Sequence, residues 1–207
     1  MATDAAIQTL KRRLVDARVF LTFDDGPSAE WTPQVLDVLL VHNARATFFV
    51  VGCRALKHAA LLRRIAAAGH EIGNHTFSHR HPWSLSGIAA RREVRAGSQA
   101  VSDVIGRQPK WFRPPHGRLR RCMAEEAAGI DQTTALWSIS AIDWGWLATT
   151  DGISRRLDRV GVGDIVLMHD AVGKRNRPDK LLAVLPKFLS TLSRRELRSV
   201  TLSQDAE

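Results

Sequence analysis

Segments with the pattern of β-strands and segments with the pattern of α-helices alternate along almost the whole chain. This alternation limits the possible folds more than any other feature of the sequence. The predicted strands are RVFLTF, RATFFVVG, HEIGNH, KWFRPP, QTTALWSIS, GDIVLMH and LRSVTL. Helical periodicity predicts helices between them, for example over ALKHAALLRRIAAAG and over 86–105, which Gly106 would end. Short connections between such elements predict a parallel sheet covered by helices, and seven units suit a small, incomplete α/β barrel better than an open doubly wound sheet.

The 207 residues contain no internal repeat, low-complexity tract or linker, so we expect one folded domain over 19–207 after an N-terminal extension over 1–18. The extension begins at Met1 and lacks the continuous apolar segment of a secretion signal, which predicts a cytoplasmic location, with an extracytoplasmic one as the alternative if a leader has been removed. No apolar run approaches the roughly 20 residues of a membrane-spanning helix, so the protein is not expected to span a membrane.

The chain is strongly basic, with a formal net charge of +9 that comes from 24 arginines and six lysines. Most of the arginine pairs fall within helical patterns, where they are typical of a solvated outer face. A nucleic-acid groove needs basic residues gathered on one face with interleaved aromatic residues, and the chain has no tyrosine. We therefore expect no nucleic-acid partner, while an acidic or membrane-attached partner stays open through general electrostatic attraction.

Reactive side chains follow the predicted strands at their carboxyl ends. In a parallel barrel these ends share one rim, where barrel enzymes build their active sites. The residues that this reasoning brings together are Asp24 and Asp25 after the first strand, His75 and His79 after the third, Arg113 and His116 after the fourth, Asp143 and Trp144 after the fifth, and His169 at the end of the sixth. The sequence therefore predicts one site assembled from most of the chain.

The segment NHTFSHRH predicts a metal site on this rim. His75 and His79 are four positions apart, so a helical turn would project both rings from one face. Two imidazoles and a neighbouring carboxylate give three ligands and leave positions open for water, which is typical of a catalytic metal site. His81, two residues further on, is expected to be exposed to solvent.

The adjacent carboxylates of LTFDDGPS have an explanation in the same site. Two neighbouring carboxylates repel each other and resist burial unless a cation lies beside them. If one aspartate binds a metal, the other can take a proton from a metal-bound water as that water attacks. His169 is a candidate acid for the leaving group, and Asp143 would favour its imidazolium form. These residues predict a metal-assisted hydrolase.

The motifs TFDDGP, HEIGNHTFSH, FRPPHG, LWSISAIDW and IVLMHD occur in the order and approximate spacing of the NodB-type polysaccharide deacetylases, family 4 of the carbohydrate esterases. The chain resembles this family over about 20–202. The resemblance implies a distorted (β/α)7 barrel with parallel strands. It also implies hydrolysis of an acetamide on an N-acetylhexosamine polymer or oligomer, giving acetate and a free amine.

The resemblance assigns roles to the first group of site residues. Asp24 would be the catalytic base, and Arg113 would form the ion pair that positions it. Asp25, His75 and His79 would bind a divalent metal, which is most often zinc, with cobalt or nickel as alternatives.

It assigns roles to the remaining residues in the same way. The backbone amide of His116 would stabilise the oxyanion opposite the metal. His169 would protonate the departing amine, with Asp143 tuning it. Trp144 and Leu167 would shape the pocket for the acetyl methyl group.

The sequence departs from the family pattern at two positions. His116 stands where the family more often has tyrosine, and Ser140 stands where many relatives have aspartate. A main-chain amide is the expected donor at His116, so little loss is expected there. Ser140 removes one acid from the rim, which is expected to change the substrate choice or the metal affinity. Brief loops indicate an open groove that could admit an acetylated glycan.

Three alternatives stay open. The same chemistry would cleave acetyl esters on xylan or a related glycan, and it would also suit a lipid-linked sugar. An inactive carbohydrate-binding relative is the alternative from a different class, and the presence of all the motif residues argues against it.

Overall fold

The computed structural model describes residues 17–146, 148–173 and 175–205. Most of the predicted N-terminal extension, 1–16, lies outside the described residues. The strands are β1 (Arg18–Asp24), β2 (Thr47–Val50), β3 (Glu71–Asn74), β4 (Trp111–Phe112), β5 (Thr133–Thr134), β6 (Ile139–Ser140), β7 (Ile165–His169) and β8 (Arg198–Val200). The α-helices are α1 (Thr32–Val41), α2 (Gly52–Lys57), α3 (Ala59–Ala67), α4 (Gly87–Ile105), α5 (Arg121–Ala128), α6 (Thr150–Leu157) and α7 (Pro178–Arg194).

The strands form one parallel sheet in the order β5-β4-β3-β2-β1-β7-β6, and β8 pairs with the first residues of β1. β1 and β7 are apolar and almost entirely buried, as expected for parallel strands covered on both faces. The Phe23 and Phe48 rings stack at 5.1 Å between centroids within the main core. This architecture confirms the predicted α/β class and the distorted (β/α)7 barrel.

The pairing of β1 with its neighbouring strands determines which side chains meet at the site. Asp24, the last residue of β1, pairs with His169 at the end of β7 on one side. On the other side it pairs with Phe49 of β2, and the next strand, β3, ends one residue before His75. Side chains distant in sequence therefore reach the same rim because the strands that carry them are neighbours.

The predicted fifth strand, QTTALWSIS, is wrong as a single element. It forms two short strands, β5 and β6, which lie at the two ends of the sheet path and are joined by residues 135–138. The carbonyls of Ala135 and Leu136 accept hydrogen bonds from Arg113 at 3.0 Å each. Because these carbonyls serve a side chain instead of a neighbouring strand, the chain passes here from one end of the sheet path to the other without a continuous ladder.

The helix predicted over ALKHAALLRRIAAAG is also divided. α2 ends at Lys57 and α3 begins at Ala59, because His58 has a non-helical backbone with φ −119° and ψ 44°.

The prediction for α4 is confirmed. The Ser86 hydroxyl accepts from the Ala89 amide at 3.2 Å at its start, and Gly106 ends it at φ 73°, a left-handed conformation that glycine adopts without steric cost.

α4 supports the rim through Gly97. A Cβ atom at this position would lie 2.4 Å from Asn74 Oδ1 and 2.6 Å from the backbone carbon of Thr76. We expect Gly97→Ala to lower the free energy of unfolding by about 2 kcal/mol, since such overpacking outweighs the helix preference of alanine. Urea unfolding measures this. Gly87→Ala in the same helix is the control, because a Cβ there would meet nothing within 4 Å. Equal effects of the two substitutions would show that the contact carries no strain.

Within the described residues, no helix has the length and apolarity needed to cross a lipid bilayer. The cytoplasmic location inferred from the N-terminal sequence stays a prediction.

Candidate active site

A cavity of about 770 Å³ opens at the carboxyl ends of the strands. The predicted site residues that line it are Asp24, Asp25, His75, His79, His116, Trp144, Leu167 and His169. Arg113 and Asp143 are fully buried and contact the residues of this wall from behind. The structure therefore brings together in one place all the side chains that the sequence analysis selected.

Asp25, His75 and His79 form the centre of the cavity, with their ligand atoms within 4.8 Å of one another. His79 Nε2 lies 3.0 Å from Asp25 Oδ1, and His75 Nε2 lies 3.4 Å from the same oxygen. Burial alone would raise the pKa of Asp25, but the two neighbouring imidazoles lower this pKa well below its ordinary value. The carboxylate is therefore ionised at neutral pH.

This group of residues fits a divalent cation. Asp25 Oδ1 is buried and accepts no well-aligned hydrogen bond, which is costly for a charged oxygen unless a cation takes that position. His75 Nδ1 lies 2.8 Å from the carbonyl oxygen of Arg113, so it carries the proton and leaves the Nε2 lone pair directed toward Asp25. One carboxylate and two imidazoles are the donors that zinc and related metals prefer.

The helical turn predicted from the spacing of His75 and His79 is wrong, although the two rings do converge. Residues 75–81 have no regular helix, and Thr76 and His79 have positive φ angles of 65° and 56°. The His79 amide donates to Thr76 Oγ1 at 3.2 Å, which closes the turn. The ring centroids of the two histidines end 4.9 Å apart. Left-handed residues in a tight turn bring the rings together here.

Asp24 is held by Arg113, whose side chain is fully buried. Arg113 Nη1 donates to Asp24 Oδ1 at 2.8 Å and to Thr22 Oγ1 at 2.7 Å. The guanidinium also lies over the Phe49 ring, 4.0 Å from its centroid. Asp24 Oδ2 lies 3.7 Å from His75 Nε2, on the side of the candidate metal ligands. One oxygen of Asp24 is thus fixed by an ion pair while the other faces the cavity.

His169 and Asp143 form a second buried pair. Asp143 Oδ1 lies 2.8 Å from His169 Nδ1, and Asp143 Oδ2 accepts from the His169 amide at 2.7 Å. Burial alone would lower the pKa of His169, but Asp143, with smaller contributions from Asp25 and Asp24, raises it to about 9. His169 is therefore an imidazolium at neutral pH, with Nδ1 bound to Asp143 and Nε2 left to act in the cavity.

The aromatic wall beside this pair contains Trp144 and Leu167, as predicted, and also Trp137. The Trp144 ring meets His169 edge-on at 5.4 Å between centroids. Trp137 was not predicted as a site residue. Its indole packs so closely on Gly117 that a Cβ atom there would lie 2.6 Å from the ring.

The two departures from the family pattern lie at the rim. The His116 backbone has φ 58°, and its ring lies 4.8 Å from His79 and 5.2 Å from His81 between centroids. Burial is the main cause that lowers the pKa of His116, and the neighbouring His79 and His81 lower it further. Ser140 pairs with Leu167 in the sheet, and its hydroxyl accepts from the Ile142 amide at 3.1 Å. His81 is exposed, as predicted.

Two further residues hold Asp25, and the sequence analysis missed both. Asn176 Nδ2 donates to Asp25 Oδ2 at 2.6 Å, and Arg54 Nη1 donates to the Asp25 carbonyl at 2.7 Å. Asp25 has φ 75°, so these contacts stabilise a conformation that aspartate adopts infrequently. Asn176 lies in the loop after β7, and its position after a predicted strand was a signal that could have selected it.

Comparisons with known proteins agree with this geometry. A sequence profile described as polysaccharide deacetylase matches residues 11–135. A peptidoglycan-N-acetylglucosamine deacetylase of Bacillus cereus is 33% identical over 188 residues, covering 90% of this chain and 86% of the relative. A chitooligosaccharide deacetylase of Bradyrhizobium sp. is 35% identical over 153 residues, covering 73% of this chain and 70% of the relative.

A solved structure gives the same result for the fold. The family 4 carbohydrate esterase from Streptomyces lividans, in complex with acetate, superposes with a TM-score of 0.82 at 33% identity. The match covers 91% of this chain and 94% of that chain. The motifs, the barrel and the profile match lead to one assignment: this chain belongs to the polysaccharide deacetylase family, the NodB-type enzymes of carbohydrate esterase family 4.

Proposed function

We propose that this protein removes the acetyl group from N-acetylglucosamine residues of a glycan, of the chitooligosaccharide or peptidoglycan type, and releases acetate. The names of its relatives support this substrate class. The observation that carries the proposal is the single cavity in which a candidate metal triad, an ion-paired aspartate and a charged histidine meet. A metal site, a base and an acid are the components of a metal-assisted amide hydrolysis.

Asp25, His75 and His79 are the proposed ligands of the divalent metal, and we propose zinc as the native ion. When bound, the cation would lower the pKa of a water and withdraw electron density from the acetamide carbonyl. Asn176 and the Arg113 carbonyl hold two of these ligands in place through the contacts described above. The backbone amide of His116 is the proposed donor to the carbonyl oxygen as negative charge develops on it.

Asp24 is the proposed general base. Its ion pair with Arg113 fixes the orientation of the side chain. Oδ2, on the side of the metal ligands, is the oxygen that would accept a proton from the attacking water. Because Asp24 precedes a metal ligand in the chain, the base and the cation are placed together by one strand end.

His169 is the proposed general acid. Its Nε2 proton would pass to the amide nitrogen as the carbon–nitrogen bond breaks, so that the product leaves as an amine. Asp143 keeps this proton available at neutral pH by raising the pKa of the imidazole. Trp144 and Leu167, which line the same cavity, are proposed to contact the acetyl methyl group.

The pH profile tests the assignment of the acid. The active form of His169 is the imidazolium, so the rate must fall as pH rises through its pKa, which is about 9. Asp143→Asn removes the group that raises this pKa most, and we expect the alkaline limb of the kcat profile to move to lower pH by more than about one unit. Asp103→Asn, at an exposed position, is the control. An alkaline limb that does not move in the Asp143 variant would exclude His169 as the acid.

A substrate panel tests the function itself. The zinc-loaded protein is incubated with chitooligosaccharides, peptidoglycan fragments and acetylxylan, and the products are identified by mass. We expect loss of acetyl groups from the glucosamine-containing glycans. Release of acetate from acetylxylan alone would favour the esterase, and the absence of any product would favour an inactive carbohydrate-binding relative.

A further inference from the structure

Two arginines lie in the wall of the catalytic cavity, and the reaction proposed above does not use their charge. Arg54 is in α2, and Arg175 is in the loop before α7. Some surface arginines elsewhere have carboxylate partners, for example Arg64 with Asp37 at 2.6 Å and Arg177 with Asp179 at 2.9 Å. Within the described parts of the chain, neither Arg54 nor Arg175 is paired with a carboxylate.

The contacts of Arg54 leave most of its donors available. Nη1 donates to the Asp25 carbonyl at 2.7 Å, and this is one of the five N–H groups of a guanidinium. The Arg175 side chain is exposed, and its backbone carbonyl accepts from the Gly145 amide at 2.7 Å. A fold-stabilising role therefore accounts for one hydrogen bond of Arg54 and for no hydrogen bond or ion pair of the Arg175 side chain with the described residues.

The other charges of the cavity are matched in pairs. Arg113 neutralises Asp24 at 2.8 Å, and the charged His169 neutralises Asp143 at 2.8 Å. Asp25 remains, and it belongs to the proposed metal ligands. With Arg54 and Arg175 added, the wall is positive even before a divalent cation is counted. Such a wall attracts anions, and the net charge of +9 on the whole chain adds to the attraction.

We propose that Arg54 and Arg175 bind an anionic group, a carboxylate or a phosphate, on the part of the glycan next to the sugar that loses its acetyl group. This inference rests on the proposed function. A neutral glycan would displace water from the two guanidinium groups without giving them partners, which costs binding energy. A carboxylate or phosphate would instead form the charge-assisted hydrogen bonds for which the planar guanidinium is well suited. The substrate class is therefore an acidic glycan.

The test compares three tetrasaccharides on the zinc-loaded protein. The first is the neutral N-acetylglucosamine tetramer, the second alternates N-acetylglucosamine with carboxylate-bearing N-acetylmuramic acid, and the third is the neutral tetramer with one 6-phosphate. We expect kcat/KM to be higher for at least one charged tetramer by about fivefold or more, and the preferred one identifies the anion. Raising the salt concentration from about 0.05 M to about 0.5 M should reduce this preference.

Arg175→Gln should remove most of the preference while kcat/KM for the neutral tetramer stays within about twofold, because the side chain contacts only the anion in this proposal. Arg54→Lys, which keeps the charge but loses the planar fork, should reduce the preference in part. Arg92→Gln is the matched control, since it removes an exposed arginine from α4 outside the cavity.

The outcomes separate the two proposals. Equal kcat/KM for all three tetramers, or an equal loss on all of them in Arg175→Gln, would overturn the anion site and leave the deacetylase function standing. If no tetramer loses an acetyl group, both proposals are wrong.

Discussion

Replacing Asp24 with asparagine is expected to lower kcat for acetate release by at least about 10³-fold, because the variant loses the proposed proton acceptor while keeping the size of the side chain. Arg113 can still donate to the remaining oxygen, so the position of residue 24 should change little. The metal ligands are untouched. The variant should therefore bind one zinc ion per chain, as we expect of the unmodified protein, and the measurement is kcat together with metal content.

Asp37→Asn is the matched control for this prediction. Asp37 is an exposed aspartate paired with Arg64 that does not line the cavity, and its loss should leave kcat unchanged. Near-ultraviolet circular dichroism would confirm that the Asp24 variant is folded, since Arg113 loses its charge partner. A folded, zinc-loaded Asp24 variant with more than a tenth of the original kcat would show that another group accepts the proton.

The second large effect concerns His79. His79→Ala removes one of three proposed ligands, and we expect zinc affinity to fall by more than about 10²-fold, since even partners that only orient a ligand are worth about 10–100-fold. Isothermal titration calorimetry of the metal-free protein with zinc measures this directly and does not depend on turnover. The carboxylate of Asp25 and the ring of His75 would remain, but two ligands hold a divalent ion weakly.

His81→Ala is the control, because His81 is exposed and lies only two residues further along the chain. Its removal should leave zinc affinity unchanged. Tight zinc binding in the His79 variant would mean that the ligand set is wrong, and a loss of binding in the His81 variant would mean that the set is incomplete.

The convergence of the site could be predicted from the sequence because the strand pattern determines it. Asp24 and His169 are 145 positions apart, but each ends a strand, and the two strands are paired in register. The carboxyl ends of neighbouring parallel strands share one rim whatever the details of their packing. The order of the predicted strands and the residues at their carboxyl ends were therefore sufficient to predict which side chains meet in the site.

The backbone geometry inside the site could not be predicted in the same way. Thr76 and His79 have positive φ angles, and neither residue type favours that region as glycine does, so the sequence carries no local signal for the turn. The division of QTTALWSIS had a similar cause. Its residues favour a strand, but the hydrogen bonds that interrupt it come from Arg113, more than 20 positions away.

Residues that act through polar contacts were the hardest to find. Asn176 and Arg54 hold Asp25, but an asparagine in a loop and an arginine in a helix are common in any basic protein. Their roles depend on the positions of the Asp25 carboxylate and of the Asp25 backbone carbonyl in the folded chain. Only the tertiary structure contains this information.

Titration of the metal-free protein with zinc, with acetate release from an N-acetylglucosamine oligomer measured at each addition, tests the central claim most directly. If Asp25, His75 and His79 hold the one cation on which hydrolysis depends, the rate should start near zero, rise with added zinc and reach its maximum at about one equivalent. A full rate in the chelated protein would contradict the account.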